Sequence, residues 1–91
     1  MELGNTSTRI GSLVRTVRVE TYDWGVRIVK EDRTDGTTLN SYEDRNFKNI
    51  KRYQDVESNI KRGMKYYRMP DKEIMYMVNL YRLSSNQPMV K

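Results

Sequence analysis

The sequence predicts an α+β fold of two layers, in which one helix crosses an antiparallel sheet. Three patterns lead to it: alternating apolar and polar residues in the N-terminal half, a helical periodicity over 43–62, and a second run of β-forming residues after that helix. The predicted order is β-β-β-α-β-β. It describes a three-stranded antiparallel meander, one amphipathic basic helix and a C-terminal β-hairpin, packed as a two-layer sandwich.

The meander is predicted from two alternating segments and one turn signal. Residues 13–21 and 26–31 alternate apolar and polar side chains and are rich in β-branched residues. After them, Asp35 and Gly36 form a pair that is favoured in tight hairpins and leads into a weaker strand over 37–41.

A second turn separates the first two strands. The tetrapeptide Tyr22–Gly25 interrupts the alternation. On the middle strand, Trp24 shares one side with Val26 and Ile28, because residues two apart point the same way. We therefore expect the Trp24 indole to lie in the core.

The helix over 43–62 is predicted from its spacing of apolar side chains at about 100° per residue. One broad face collects Ile50, Tyr53, Val56, Ile60 and Met64, with Phe47 at its margin. Ser41 followed by Asp44 is a candidate capping box, and Gly63 is a natural stop. We expect the apolar face to be buried against the sheet.

The C-terminal hairpin has a competing interpretation. Residues 64–69 and 74–83 flank the turn-like tetrapeptide Pro70-Asp71-Lys72-Glu73, and the second segment is rich in β-formers. A second helix beginning at Pro70 is the alternative, supported by Met, Leu and the acids of its first turn. Because apolar residues would surround that helix nearly all round, the hairpin is preferred.

Residues 1–11 are predicted to be a polar N-terminal tail, 12–83 a single α+β domain, and 84–91 a C-terminal tail. A chain of 91 residues buries only about 60–65% of the surface that its unfolded form exposes. A deep internal active site is therefore not expected.

Composition excludes several classes of function. The chain has no cysteine and no histidine, so it lacks thiolate ligands, the commonest zinc ligands and the usual general base. No catalytic, cofactor or metal motif is present, and we expect a protein that is not an enzyme and uses no cofactor. No signal peptide or membrane-spanning run is visible, which predicts a cytoplasmic protein without membrane contact.

Positive charge is concentrated in the C-terminal half. Residues 1–42 carry six basic and six acidic side chains, whereas 43–91 carry eleven and six. A segregated patch attracts polyanions or an acidic protein surface. The candidate binding residues are Arg45, Lys48, Lys51, Arg52, Arg62, Lys65 and Arg68.

The basic stretch also has an ordinary explanation. Glu57 with Lys61, and Lys51 with Asp55, are spaced four residues apart, so part of the predicted helix face would be a solvated surface with weak internal pairing.

Tyr66 and Tyr67 are candidates for stacking on nucleobases, since aromatic rings beside arginines hold single-stranded nucleic acid in many proteins. Strand geometry sends one of two adjacent side chains inward, so at most one of them stacks.

These patterns favour a small binding module that engages RNA or DNA through the basic helix face and the strand after it. The alternative is an accessory or inhibitor protein, of the kind found in phages and mobile elements, that covers an acidic surface or nucleic-acid channel of a larger protein. A third hypothesis is a structural subunit that oligomerises through strand edges. Oligomeric state, sequence specificity and the choice between RNA, DNA and protein are not determined by the sequence.

Overall fold

The computed structural model describes residues 1–90 and contains a four-stranded antiparallel sheet followed by two helices. The elements are β1 (Glu2–Ile10), β2 (Leu13–Tyr22), β3 (Gly25–Thr34), β4 (Thr38–Lys48), α1 (Tyr53–Tyr66) and α2 (Asp71–Ser84). The strands lie in the order β1-β2-β3-β4. The α+β class is thus confirmed, whereas the predicted order β-β-β-α-β-β is wrong and is replaced by β-β-β-β-α-α.

One face of the sheet, the inner face, carries the core. Val17 and Val19 of β2 pair there with Lys30 and Ile28 of β3. From the sheet, Val17, Val19, Val26 and Ile28 are fully buried, and from the helices so are Ile60, Met64, Met77 and Val78. Both helices pack on this face, while the opposite, outer face remains uncovered by any element within residues 1–90.

The predicted hairpin signal at Asp35 and Gly36 is confirmed. Both residues have positive φ, 55° and 74°, as a tight turn between twisted strands requires, and they join β3 to β4. The weak strand predicted over 37–41 is longer than expected, because β4 continues to Lys48.

Residues 1–11 do not form the predicted tail, because Glu2–Ile10 form β1 at one edge of the sheet. Thr6 lies opposite Val17, and Thr8 lies opposite Arg15. The backbone of an edge strand is stabilised by hydrogen bonds to one neighbour, so a polar sequence with only Leu3 packed against the core suffices. Such a strand is therefore hard to predict from the pattern of apolar residues in the sequence.

The predicted start of the helix at residue 43 is wrong, because 43–48 belong to β4. Ser41 and Asp44 lie opposite Asp32 and Val29 in the sheet, so they form no capping box. Strand alternation and helical spacing overlap in this stretch, and pairing with the free edge of β3 decides between them. The helix α1 begins only at Tyr53.

Within α1, the predicted apolar face is confirmed. Val56, Ile60 and Met64 are buried, Tyr53 is partly buried, and Ile50 packs on the core from the connection that precedes the helix.

Gly63 is not the predicted stop, because α1 continues to Tyr66. Its backbone approaches the sheet so closely that a Cβ atom there would overlap Cδ1 of Ile28 and lie 3.2 Å from Cε2 of Phe47. The glycine therefore serves helix–sheet packing and does not end the helix.

The predicted C-terminal hairpin is also wrong, and the alternative of a second helix is confirmed by α2. Pro70 precedes the helix with ψ of 154°, and Asp71 and Glu73 occupy its first turn. Apolar residues lie nearly all round α2, but only one stripe of them is buried, formed by Ile74, Met77 and Val78. Other apolar residues of the helix stay exposed. Local backbone hydrogen bonds outweigh the β-propensity of single residues here.

Trp24 does not lie in the core. It occupies the turn between β2 and β3, is 37% exposed and stacks on Tyr22 with ring centroids 5.0 Å apart. The turn projects past the end of the sheet, where no helix covers the indole.

The segment after α2 folds back along it. Residues 85–90 contain no helix or strand, and the Asn79 side chain both accepts a hydrogen bond from the Val90 amide (2.8 Å) and donates to its carbonyl oxygen (3.2 Å). The predicted tail over 84–91 is described only to Val90.

We predict that Gly63→Val lowers the free energy of unfolding by about 1–3 kcal/mol, because the new side chain overlaps Ile28 in a filled core. Urea denaturation measures it. The sign of this change in the free energy of unfolding is informative, because replacing a glycine inside an ordinary helix stabilises the helix.

The matched control is Ser58→Val, a similar change on the exposed side of α1, which should alter stability by less than about 0.5 kcal/mol. Equal midpoints for the two variants would contradict the close approach at Gly63.

Candidate functional site

Most cations of the N-terminal half are used within the fold. On the outer face, Arg18 and Arg27 bind Glu20 at 2.9 and 3.1 Å, Arg27 also binds Asp44 at 2.9 Å, and Arg33 binds Glu31 at 3.0 Å. These arginines already hold carboxylates. The outer face therefore offers little free positive charge.

The inner face holds a second ion-pair cluster at its polar end. Arg15 donates two parallel hydrogen bonds to Asp32 (2.7 and 2.8 Å) and a third to the Tyr67 carbonyl oxygen (2.8 Å). Lys30 adds a salt bridge to Asp32 at 3.4 Å. The hydrogen bonds from Arg15 hold the pKa of Asp32 below its ordinary value. This cluster fastens the end of α1 to the sheet.

The seven candidate binding residues differ from these cations in one respect: within residues 1–90 none of them forms a salt bridge. They are Arg45, Lys48, Lys51, Arg52, Arg62, Lys65 and Arg68. We call this set the unpaired cations.

The unpaired cations do not share one helix face, so that interpretation is wrong. Two lie on β4, at Arg45 and Lys48; two lie in the connection to α1; two lie on α1; and Arg68 lies in the turn before α2. Because α1 folds back over the inner face of the sheet, Arg45 of β4 lies close to Arg62 of α1, whereas Lys48 lies on the opposite side of β4 from Arg45.

The two ends of the basic stretch meet in one depression of about 340 Å³, the basic groove. Its lining residues are Arg45, Phe47, Arg62, Gly63 and Tyr66. It lies between β4 and the last turns of α1. Residues that are far apart in the sequence are thus joined in one surface, with Gly63 leaving space between them.

Cation–π contacts order the arginines of the groove. The Arg45 guanidinium lies 4.0 Å from the Tyr66 ring centroid and 5.9 Å from that of Phe47, and the Arg62 guanidinium lies 5.5 Å from Phe47. Stacking engages the flat face of a guanidinium and leaves its in-plane N–H groups available to donate, although one of those of Arg62 already donates to Asn59 Oδ1. An anion entering the groove would meet donors that are already oriented.

The two adjacent tyrosines have different surroundings. Tyr66 is 60% exposed, whereas Tyr67 is 3% exposed and its hydroxyl donates to Glu43 at 3.3 Å. Burial, with the nearby Glu43 charge, raises the pKa of Tyr67. Tyr67 is therefore a core residue and unavailable for stacking. Tyr67 follows Ile60 by seven residues, or two helical turns, which places it on the buried side of α1. The sequence itself therefore indicates that Tyr67 is buried.

Lys65 and Arg62 form the exposed ridge of α1 next to the groove. Lys61 is engaged with Glu57 at 3.6 Å, as its spacing predicts, and Glu57 also binds Arg82 of α2 at 2.7 Å. The predicted pair of Lys51 and Asp55 is not formed within residues 1–90.

Phe47 is the groove residue that the sequence does not reveal. Helical spacing puts it at the margin of a buried face, whereas strand alternation puts it on the same side of β4 as Arg45. If the predicted strand is extended past residue 41, alternation makes Glu43, Arg45 and Phe47 point inward. This alternation is the signal in the sequence that indicates Phe47.

No group of three or more acidic residues within residues 1–90 is placed to hold a metal ion. Neither described helix has the length and apolarity of a membrane span. Comparisons of the chain with protein-family models, with curated proteins and with solved structures found no match.

The outer-face network makes stability depend on pH. Hydrogen bonds from Tyr22, Arg18 and Arg27 lower the pKa of Glu20 to about 2. A carboxylate whose pKa is lower in the folded state stabilises above its ordinary pKa of 4.5 and loses that contribution as pH falls toward about 2. We predict that Glu20→Gln flattens the decline of unfolding free energy in this window by about 1–2 kcal/mol.

Urea midpoints measured at a series of pH values from neutral to acid give this difference. Tyr22→Phe, which removes the largest single contribution, should behave between wild type and Glu20→Gln. Parallel curves for wild type and Glu20→Gln would show that the network does not hold the charge of Glu20.

Proposed function

We propose that the protein is a non-enzymatic nucleic-acid-binding module, in which the unpaired cations contact phosphates of RNA or DNA. The proposal rests on how the cations are paired. Within residues 1–90, all seven unpaired cations lack a carboxylate partner. In contrast, five cations of the strands are all ion-paired: Arg15, Arg18, Arg27, Lys30 and Arg33. The chain thus separates structural cations from free ones.

Pairing decides what a cation contributes to binding. An arginine already bound to a carboxylate must give up that partner before it meets a phosphate, so the net gain is small. A free, solvated cation gains the contact and releases the counterions condensed on the nucleic acid. The favourable charges are therefore those on β4, the connection, α1 and the following turn.

The shape of this surface supports contact with a phosphate backbone. The basic groove supplies oriented arginines, and the ridge of α1 and the connection supply lysines and arginines as further charges. Arginine binds phosphate with two parallel hydrogen bonds, and lysine acts as a point charge. Nothing in this arrangement requires a particular base sequence.

We predict that Lys51→Ala combined with Arg52→Ala weakens binding to unrelated oligonucleotides to a similar extent and flattens the plot of log K against log salt. The expected loss of slope is about 1.4 for single strands and about 1.8 for duplex DNA. Fluorescence anisotropy between about 50 and 200 mM salt measures it. Neither side chain caps α1, so folding should persist.

The matched control is Arg9→Ala combined with Lys72→Ala, which removes two exposed cations that also lack carboxylate partners within residues 1–90 but lie on β1 and at the start of α2. It should change the slope little. An equal effect of both variants would mean that net charge alone drives binding. Absence of salt-dependent binding to every DNA and RNA tested would refute the proposal, and retained binding to polyglutamate would then favour the acidic-protein alternative.

A further inference from the structure

We infer that the nucleic acid is single-stranded and that one of its bases stacks on the face of the Tyr66 ring that Arg45 leaves open, at the edge of the basic groove. The inference rests on the proposed function and adds the chemical class of the ligand. It starts from Tyr66, whose ring is 60% exposed although it lies beside Arg45 and Tyr67.

The ring is exposed and yet fixed. Tyr66 is the last residue of α1, and the next residue is anchored twice, by burial of the Tyr67 ring and by the hydrogen bond from Arg15 to the Tyr67 carbonyl oxygen. Tyr66 and Tyr67 meet edge to face, with centroids 5.3 Å apart and planes 70° apart. An aromatic side chain held in place loses little conformational entropy when a base stacks on it.

The exposed ring of Tyr66 favours a single strand over a duplex. In a duplex, each base is covered above and below by its neighbours, so no base face is free to lie on Tyr66. Single strands can turn a base onto the ring while their phosphates reach the arginines beside it.

The cations of the groove match such a strand. Arg45 covers one face of the Tyr66 ring and Arg62 lies near Phe47, so both guanidinium groups lie beside the position proposed for the base. Beyond the groove, further unpaired cations lie at the end of β4 (Lys48), in the connection (Lys51 and Arg52) and on α1 (Lys65). A strand that crosses the groove would therefore place a base on Tyr66 and neighbouring phosphates on free charges.

The test compares Tyr66→Ala with Tyr66→Phe on a single-stranded oligonucleotide of about 12 nucleotides and on the duplex of the same sequence. Tyr66→Ala should weaken single-strand binding by about 5- to 150-fold, the range that loss of one stacked base produces. Duplex binding should change by less than about two-fold, because phosphate contacts remain. Tyr66→Phe keeps the ring and should bind the single strand like wild type.

Tyr76→Ala is the matched control, since Tyr76 is 50% exposed but lies on α2, away from the groove. It should leave single-strand binding unchanged. A single strand containing 2-aminopurine gives an independent readout, because its fluorescence should be quenched by wild type and Tyr66→Phe and recover with Tyr66→Ala. Circular dichroism checks that each variant is folded.

Failure of this inference differs from failure of the proposed function. Equal binding of single strand and duplex, with Tyr66→Ala affecting neither, would overturn the stacking inference while leaving phosphate binding in place. Equal loss on both ligands would also overturn it, since it would show that Tyr66 acts only by holding Arg45. If neither nucleic acid binds wild type, the proposed function itself is refuted.

Discussion

The close approach of α1 to the sheet at Gly63 is the constraint on which the rest of the architecture depends. With no Cβ at this position, the helix backbone rests against Ile28, and the core between helix and sheet can close around Ile60 and Met64. The same contact leaves open the space that Phe47 and Arg45 line from β4. A larger residue would overlap Cδ1 of Ile28 and press on the Phe47 ring, so these side chains or the helix would have to shift. Packing and candidate function are thus set by one small residue.

The fold also divides its positive charges into two groups. Arginines of β2 and β3 pair with acids on neighbouring strands, as Arg27 does with Glu20 and Asp44, or two residues along the same strand, as Arg33 does with Glu31. After Glu43, Lys61 and Arg82 pair with Glu57, whereas the seven unpaired cations form no salt bridge within residues 1–90. A small domain with a large surface needs such internal pairing to avoid self-repulsion. Of the cations without a carboxylate partner within residues 1–90, all but Arg9 and Lys72 lie in the stretch 45–68.

Local signals in the sequence predict part of this structure. The Asp35-Gly36 turn and the buried positions Ile60 and Met64 follow from backbone preference and helical spacing, because both depend on neighbours within a few residues. The polar edge strand β1 and the second half of β4 do not follow, since their stability comes from hydrogen bonds to strands distant in sequence. The α2 helix does not follow either, since its β-forming residues also suit a hairpin, and the packing of Ile74, Met77 and Val78 in the core stabilises the helix.

The basic stretch contains the candidate residues, but helical spacing predicts the wrong structure for its first part. That spacing predicts one helix over 43–62, yet the chain turns at Asn49, where φ is 62°, and the Ile50 amide donates to the Trp24 carbonyl oxygen at 3.3 Å. This turn divides the stretch into a strand and a helix that fold against each other. A single helix would have spread the cations along a rod, with aromatic residues buried on its far side. The fold instead sets Arg45 against Tyr66 beside a groove between β4 and α1, so the arrangement on which the proposed binding of a base and a phosphate rests arises from the turn and not from composition.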